Sequence, residues 1–164
     1  ILADARSATV QAKINGLIKD RAGFRPFAPA VLADRAAEWF ELDRPAPYMN
    51  LAVQVHPSRR VDQEEASASS ESLADRVAGI RSSVPAITHV DGSARVQTVD
   101  PSVNPRFASL LRAFEGATAC PVLLNTSFNG HDEPIVCTPA DAYGTFRRTG
   151  LDLLVLGNTL VEAS

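Results

Sequence analysis

Near the start of the chain, apolar residues fall at Val10, Ile14, Leu17 and Ile18, a helical spacing that makes one stripe with Lys13 beside it. With Asp4 as cap, this pattern predicts a helix that stops around Lys19. The following apolar run, residues 24–32, contains Pro26 and Pro29, so it reads as extended but not as an ordinary central strand throughout. A short helix is predicted over 35–40. A strand is predicted over 48–55, with Leu51, Val53 and Val55 on one side and Asn50 and Gln54 on the other. Between 58 and 83 the pattern dissolves into Arg59-Arg60, Asp62, Glu64-Glu65 and many serines, with Leu73, Val77 and Ile80 the organised apolar positions. That stretch reads as a solvated, partly helical insertion.

Order returns with two strands expected over 86–90 and 94–99, joined by the hairpin signal Asp91-Gly92. Asn104-Pro105 opens a helix with Phe107, Leu110, Leu111 and Phe114 toward the core, ending at Gly116. Val122-Leu123-Leu124 begins a buried strand. Thr138-Pro139-Ala140-Asp141 repeats the capping logic for a helix with the stripe Ala142, Tyr143 and Phe146, closed by Arg147, Arg148 and Gly150. Residues 153–156 form the last predicted core strand. Helices and strands are interspersed, so the expected class is α/β or α+β with a mixed sheet.

The 164 residues, 45% of them hydrophobic, suit one domain over 1–164 with a real core. A formal net charge of -3 argues against a nucleic-acid or anionic-membrane surface, which needs clustered excess Lys and Arg; any anion site must be local. Cys120 and Cys137 lack metal-type spacing and read as reduced thiols, which places the chain in the cytoplasm. No apolar run approaches the roughly 20 residues of a membrane span. The opening Ile1-Leu2-Ala3 reads as mid-chain sequence, a piece of something longer.

There is no Gly-rich loop ending in Gly-Lys-Ser/Thr, no GxGxxG opening a helix and no GxSxG elbow. A bound phosphate must therefore be held by side chains. Lys19-Asp20-Arg21 places two cations at i and i+2, on one side of an extended chain, with Arg25 in reach. Lys supplies a movable point charge and Arg a rigid fork, a combination that can clamp a polyanion. The same residues also fit a solvated basic turn at a helix end. In Asn125-Thr126-Ser127-Phe128-Asn129, the period of two puts Asn125, Ser127 and Asn129 on a face opposite Val122 and Leu124. Such a row can donate to phosphate or carbamoyl oxygens at a strand end, or it can cap a turn. Arg95 shares a strand face with Gln97, and a mid-strand Arg usually points to solvent or pairs with a carboxylate. His89 and Asp91 are too few for a metal site, and a His beside a turn reads as structural.

Four blocks, Phe24-Arg25-Pro26-Phe27-Ala28-Pro29, Thr88-His89-Val90-Asp91-Gly92-Ser93-Ala94-Arg95-Val96-Gln97, Leu123-Leu124-Asn125-Thr126-Ser127-Phe128-Asn129 and Glu133-Pro134-Ile135-Val136, occur in this order. They resemble the signature blocks of the C-terminal, YrdC-like domain of the carbamoyltransferases, a family of nodulation and antibiotic-tailoring O-carbamoyltransferases. The resemblance implies a twisted, open mixed sheet flanked by helices, with a concave, positively charged face. It also implies ATP-dependent conversion of carbamoyl phosphate to carbamoyl-adenylate. Lys19 and Arg21 match the Lys-x-Arg motif of the YrdC-like proteins, and Ser127 and Asn129 match their Ser-x-Asn motif. By this likeness Lys19, Arg21, Arg25 and Arg95 would clamp phosphates, Ser127 and Asn129 would orient the carbamoyl group and the α-phosphate, and Asn125 would join them in binding substrate or nucleotide. ATP would arrive with Mg²⁺, although no carboxylate pair announces itself as a ligand. The implied partner is an N-terminal domain of the same parent protein, which binds a metal and the acceptor alcohol.

One departure stands out. Gly130-His131-Asp132-Glu133 carries His131 where the family usually has Arg or Lys, and His is only partly charged at neutral pH unless phosphate raises its pKa. Either His131 takes that role when protonated or the site is remodelled. The alternatives to an adenylate-forming half-site are a nucleotide-binding module without catalysis, or a docking domain active only with its upstream domain.

Overall fold

In the computed structural model of the chain, residues 1–20, 22, 25–61 and 79–163 are described. Arg21 and the core of the polar insertion, 62–78, lie outside the described residues. Five strands, β1 (Leu2–Asp4), β2 (Ala28–Leu32), β3 (Leu51–Gln54), β4 (Ser93–Val99) and β5 (Val122–Asn125), form a sheet in the order β1-β5-β2-β4-β3. β2 and β4 run parallel and the other pairings are antiparallel. Among the described residues, four helices accompany the sheet: α1 (Ala8–Leu17), α2 (Ala36–Trp39), α3 (Pro105–Thr118) and α4 (Pro139–Thr149). The expected α/β class with an open mixed sheet and flanking helices is what the chain adopts.

The two faces of the sheet are covered unequally. Val31, Ala94, Val96, Val122 and Leu124 point to one face, where Ile14 and Ile18 of the α1 region, Trp39, Phe40 and Ile87 bury them in the main core. On the other face Ala30, Leu32, Val99 and Leu123 pack under Ala108 and Leu111 of α3, with Phe107 and Phe114 at the margin. The strands continue beyond α3 on that same face with Ala28, Gln97 and Asn125, and the register sets Ala28 opposite Asn125 and Ala30 opposite Gln97. This uncovered end of the sheet is where the cleft forms.

Local signals behave as short-range chemistry dictates. Asn104 caps α3 by accepting from Phe107 N–H at 3.3 Å. Thr138 and Asp141 cap α4 reciprocally, and Gly150 (φ 62°) ends it in the left-handed conformation. The short helix after β2 and the strand of residues 51–54 also form, the strand beginning only after Met49 (φ 53°).

Several expectations are corrected. Asp4 is not the cap of α1: it ends β1 and pairs with Arg6 at 2.7 Å, and Ser7 takes the cap position. Of the run 24–32, expected not to be an ordinary central strand throughout, Ala28–Leu32 forms the central strand β2 with Pro29 inside it. The ladder to β4 starts at Ala30, so the missing proline N–H falls outside that pairing. Residues 86–90 are not a strand. Pro85–Ile87 is a 3₁₀ turn, and the Asp91-Gly92 turn closes through His89 N–H to Ser93 O at 2.7 Å without a hairpin partner. α3 runs past Gly116 to Thr118. Leu110 and Tyr143 are exposed despite their positions in predicted stripes; Thr145 and Thr149 take the buried side of α4. Residues 153–156 are a strand, β6 (Leu153–Leu156), but among the described residues it pairs only with β7 (Thr159–Glu162), in a separate hairpin packed on α4. The described ends of the polar insertion are ordered: Arg60 bridges Ser82, and Ser82 is buried.

Candidate functional site

The loop after β5 holds most of the polar candidates. Phe128, half-buried, packs its ring against Ala142, Phe146 and Leu154, the apolar cluster between α4 and the hairpin. With that side chain drawn one way, Ser127 and Asn129 on either side turn the other way, toward Lys19. Lys19 lies just past α1, its N–H still bonded to Ile14 O at 3.0 Å. Its ammonium donates to Ser127 O at 2.8 Å, Ser127 Oγ at 3.1 Å, Asn129 O at 3.0 Å and Asn129 Oδ1 at 2.7 Å. Three N–H donors thus meet four acceptors. Ser127 Oγ–H also donates to Asn129 Oδ1, and Asn129 Nδ2 donates to Glu133 O at 2.9 Å.

The downstream segment braces this clasp. Glu133 accepts from Gly130 N–H at 3.1 Å and from Arg148 at 2.7 Å. The Gly130 N–H, and after it the Arg148 guanidinium, hold the Glu133 carboxyl below its ordinary range. A Cβ on Gly130 would stand 2.8 Å from that carboxylate, so the close approach favours glycine. His131 Nδ1 donates to Lys19 O at 3.2 Å, and its Nε2 lies 3.1 Å from Asp132 Oδ2. Asp20 (φ 43°) and Asp132 (φ 54°) both adopt left-handed backbone beside these contacts, a conformation Asp tolerates better than most residues.

Next to the clasp, the uncovered end of the sheet forms a cleft of about 730 Å³ lined by Arg25, Phe27, Met49, His89, Arg95, Gln97, Asn125, Thr126 and Ser127, among others. Arg25, Arg95, Asn125 and Ser127 all line this one cleft, and Lys19 and Asn129 join it through Ser127. His131 is not among the lining residues and contacts Lys19 O instead, and Arg21 lies outside the described residues. Asn125 Nδ2 donates to Gln97 Oε1 at 2.9 Å, which ties β5 to β4 across the cleft floor. Both arginines are exposed, so their charge is available to a ligand in a protein whose net charge is negative.

Sequence reasoning did not single out Asn15 or Met49, and it weighed His89 only as a weak metal candidate or a structural residue. Asn15 is fully buried and donates from Nδ2 to Arg25 O at 2.8 Å, which anchors the segment carrying Arg25 to α1. Its signal was a polar residue between Ile14 and Ile18, inside the apolar stripe. Met49 lines the cleft from a left-handed backbone position, and nothing local marks it. His89, expected to be structural, lines the cleft as well, while Asp91 is engaged with Ser93. Among the described residues no group of three or more His, Cys, Asp or Glu could hold a metal ion, and no helix is long and apolar enough to cross a membrane.

Comparison with known proteins gives this geometry its context. The profile of the family described as "Carbamoyltransferase C-terminus" matches residues 1–163. The chain is 50% identical over 162 residues to an uncharacterized protein of Synechocystis sp., covering 96% of this chain and 26% of the relative. It is 43% identical over 165 residues to nodulation protein NolO of Bradyrhizobium diazoefficiens, covering 99% of this chain and 26% of that protein. It is also 33% identical over 159 residues to the 3'-hydroxymethylcephem-O-carbamoyltransferase of Amycolatopsis lactamdurans, covering 97% of this chain and 26% of the enzyme. The chain spans about a quarter of the length of these relatives. By the family profile and by these likenesses, the chain belongs to the carbamoyltransferase C-terminus family.

Proposed function

We propose that this chain is the carbamoyl-adenylate-forming half of an O-carbamoyltransferase, using carbamoyl phosphate and ATP. The observation that carries the reading is the convergence of Arg25, Arg95, Asn125 and Ser127 on one open cleft, with the Lys19 ammonium clasped at its edge. In the proposed reaction, water displaces phosphate from carbamoyl phosphate and leaves carbamate. A carbamate oxygen then attacks the α-phosphorus of ATP, the bond from that phosphorus to the bridging oxygen breaks, and pyrophosphate leaves. Negative charge gathers on phosphoryl oxygens in both steps, so fixed cations and amide donors aimed at them are the main catalytic means.

Arg25 and Arg95 would grip phosphate oxygens, and Asn125 and Ser127 would orient the carbamoyl group. Lys19 already has as many protein acceptors as its three protons can serve, so a bound phosphate would take over one of them. Lys19 then both shapes the Ser127–Asn129 loop and contacts substrate. Mg²⁺ would come in on the nucleotide's own phosphates, where it neutralises charge. Transfer to an alcohol would fall to the upstream, metal-binding domain of a longer parent protein, in the cytoplasm.

The chain incubated with carbamoyl phosphate and MgATP should release phosphate and pyrophosphate, and Lys19→Ala should abolish release. Nucleotide binding without turnover in the well-folded chain would replace this reading with that of a binding module.

A further inference from the structure

One side chain on the cleft wall, His89, is left unused by this reaction and is backed by a line of two others. His89 lines the cleft, its Nδ1 lies 2.9 Å from Ser93 Oγ, and Ser93 Oγ donates to Asp91 Oδ1 at 2.7 Å. Ser93 N–H donates to the same oxygen at 3.0 Å. The Ser93 hydroxyl and then its N–H hold the Asp91 carboxyl below the ordinary range, so near neutral pH it is ionised and only accepts. The serine hydroxyl has one proton, and the carboxylate takes it. The contact with His89 must then run the other way, with Nδ1–H donating to Ser93 Oγ. A neutral imidazole that carries its proton on Nδ1 has a bare Nε2, an acceptor.

The backbone around this ring is tied down. His89 N–H donates to Ser93 O at 2.7 Å, and Gly92 N–H donates to His89 O at 3.0 Å. The preceding Thr88 is buried, with Oγ1 2.7 Å from Ser82 Oγ and bonded to Val84 O at 2.9 Å. His89 is thus presented by a fixed turn. Arg25 and Arg95 can only donate, and Gln97 Oε1 already accepts from Asn125. A bare imidazole nitrogen supplies an acceptor on the wall of a cleft otherwise rich in donors.

Resting on the reading of the cleft as a carbamoyl phosphate site, we propose that His89 Nε2 accepts a hydrogen bond from the carbamoyl N–H. The Asp91–Ser93–His89 line then selects carbamoyl phosphate over acyl phosphates. Acetyl phosphate offers the same phosphate and carbonyl with a methyl group in place of NH₂, and would leave the acceptor unpaired. A site built around a hydrogen bond rejects the analogue that lacks it.

The test uses the ¹⁵N-labelled chain, whose three histidines are resolved by imidazole NMR, with His89→Phe assigning the His89 signals by their loss. His89 should show a protonated Nδ1 and a bare Nε2, and Ser93→Ala should shift it toward the Nε2–H tautomer. Carbamoyl phosphate should move the Nε2 resonance, and acetyl phosphate should not. By calorimetry, His89→Phe should weaken carbamoyl phosphate binding about five- to tenfold, the loss of one hydrogen bond, and leave acetyl phosphate within about twofold. An Nε2–H tautomer in the unaltered chain overturns the proposal. So does a His89 signal unmoved while carbamoyl phosphate binds, or one that answers to ATP alone. If carbamoyl phosphate does not bind at all, the functional reading fails and this proposal falls with it.

Discussion

Lys19 and Asn129, 110 residues apart in sequence, meet at 2.7 Å from Nζ to Oδ1. That bond, with the three others from the same ammonium, joins the end of α1 to the loop after β5 and sets the edge of the cleft. Lys19→Ala should therefore lower pyrophosphate release at least about 100-fold, the order seen when one preorganised donor is removed from a charged transition state. Melting temperature should fall only slightly, because the clasp is half-exposed. A large drop in stability with turnover preserved would remove Lys19 from the reaction.

His131 offers a contrast on the same structural axis. Its Nδ1 bonds Lys19 O rather than lining the cleft, so His131→Ala should cost turnover less than about tenfold. Steady-state kinetics on the two alanine variants separates a residue that contacts substrate from one that positions it. An effect at His131 equal to that at Lys19 would place the imidazole on the phosphate.

Arg95 should act through charge. Arg95→Ala should weaken ATP binding about tenfold, and added salt should narrow the gap between variant and parent. Titration calorimetry at two ionic strengths reads both effects. A salt-independent loss would point to altered packing on β4.

Glu133 predicts a pH dependence of stability. Its folded pKa is depressed by the Gly130 N–H and then by Arg148, so the unfolded chain takes up the proton first as the pH falls. The stabilisation is complete above the unfolded value of about 4.3 and is lost as the pH falls through the lower folded value. Glu133→Gln should melt below the parent at neutral pH, and the two melting curves should converge once the pH falls below the depressed folded value. A constant difference down to acid pH would contradict the assignment.

Two structural substitutions calibrate the fold. Leu124 is fully buried in β5, and Leu124→Ala should cost about 2–5 kcal/mol in denaturant titration. Thr138→Ala, which removes the cap of α4, should cost about 1 kcal/mol, or about 3 °C in melting temperature. Equal effects would mean that α4 is coupled to the main core more tightly than its separate apolar cluster implies.

By itself the sequence determined what can be settled within a few residues. The Asn104 and Thr138–Asp141 caps, the left-handed turn at Gly150 and the alternation that turns Asn125 away from Leu124 all follow from local hydrogen bonding and strand periodicity. The candidate cations and the polar row were legible for the same reason. Only the tertiary structure decided which part of the sheet is left open. α3 covers Ala30, Leu32 and Leu123 but stops short of Ala28, Gln97 and Asn125, and no local pattern records where a helix will lie across strands distant in sequence. Pro29 in a central strand, the separate β6–β7 hairpin, buried Asn15 beneath Arg25 and His89 on the cleft wall were decided in the same way. Each depends on which partner satisfies a backbone or side-chain polar group, and those partners come from elsewhere in the chain.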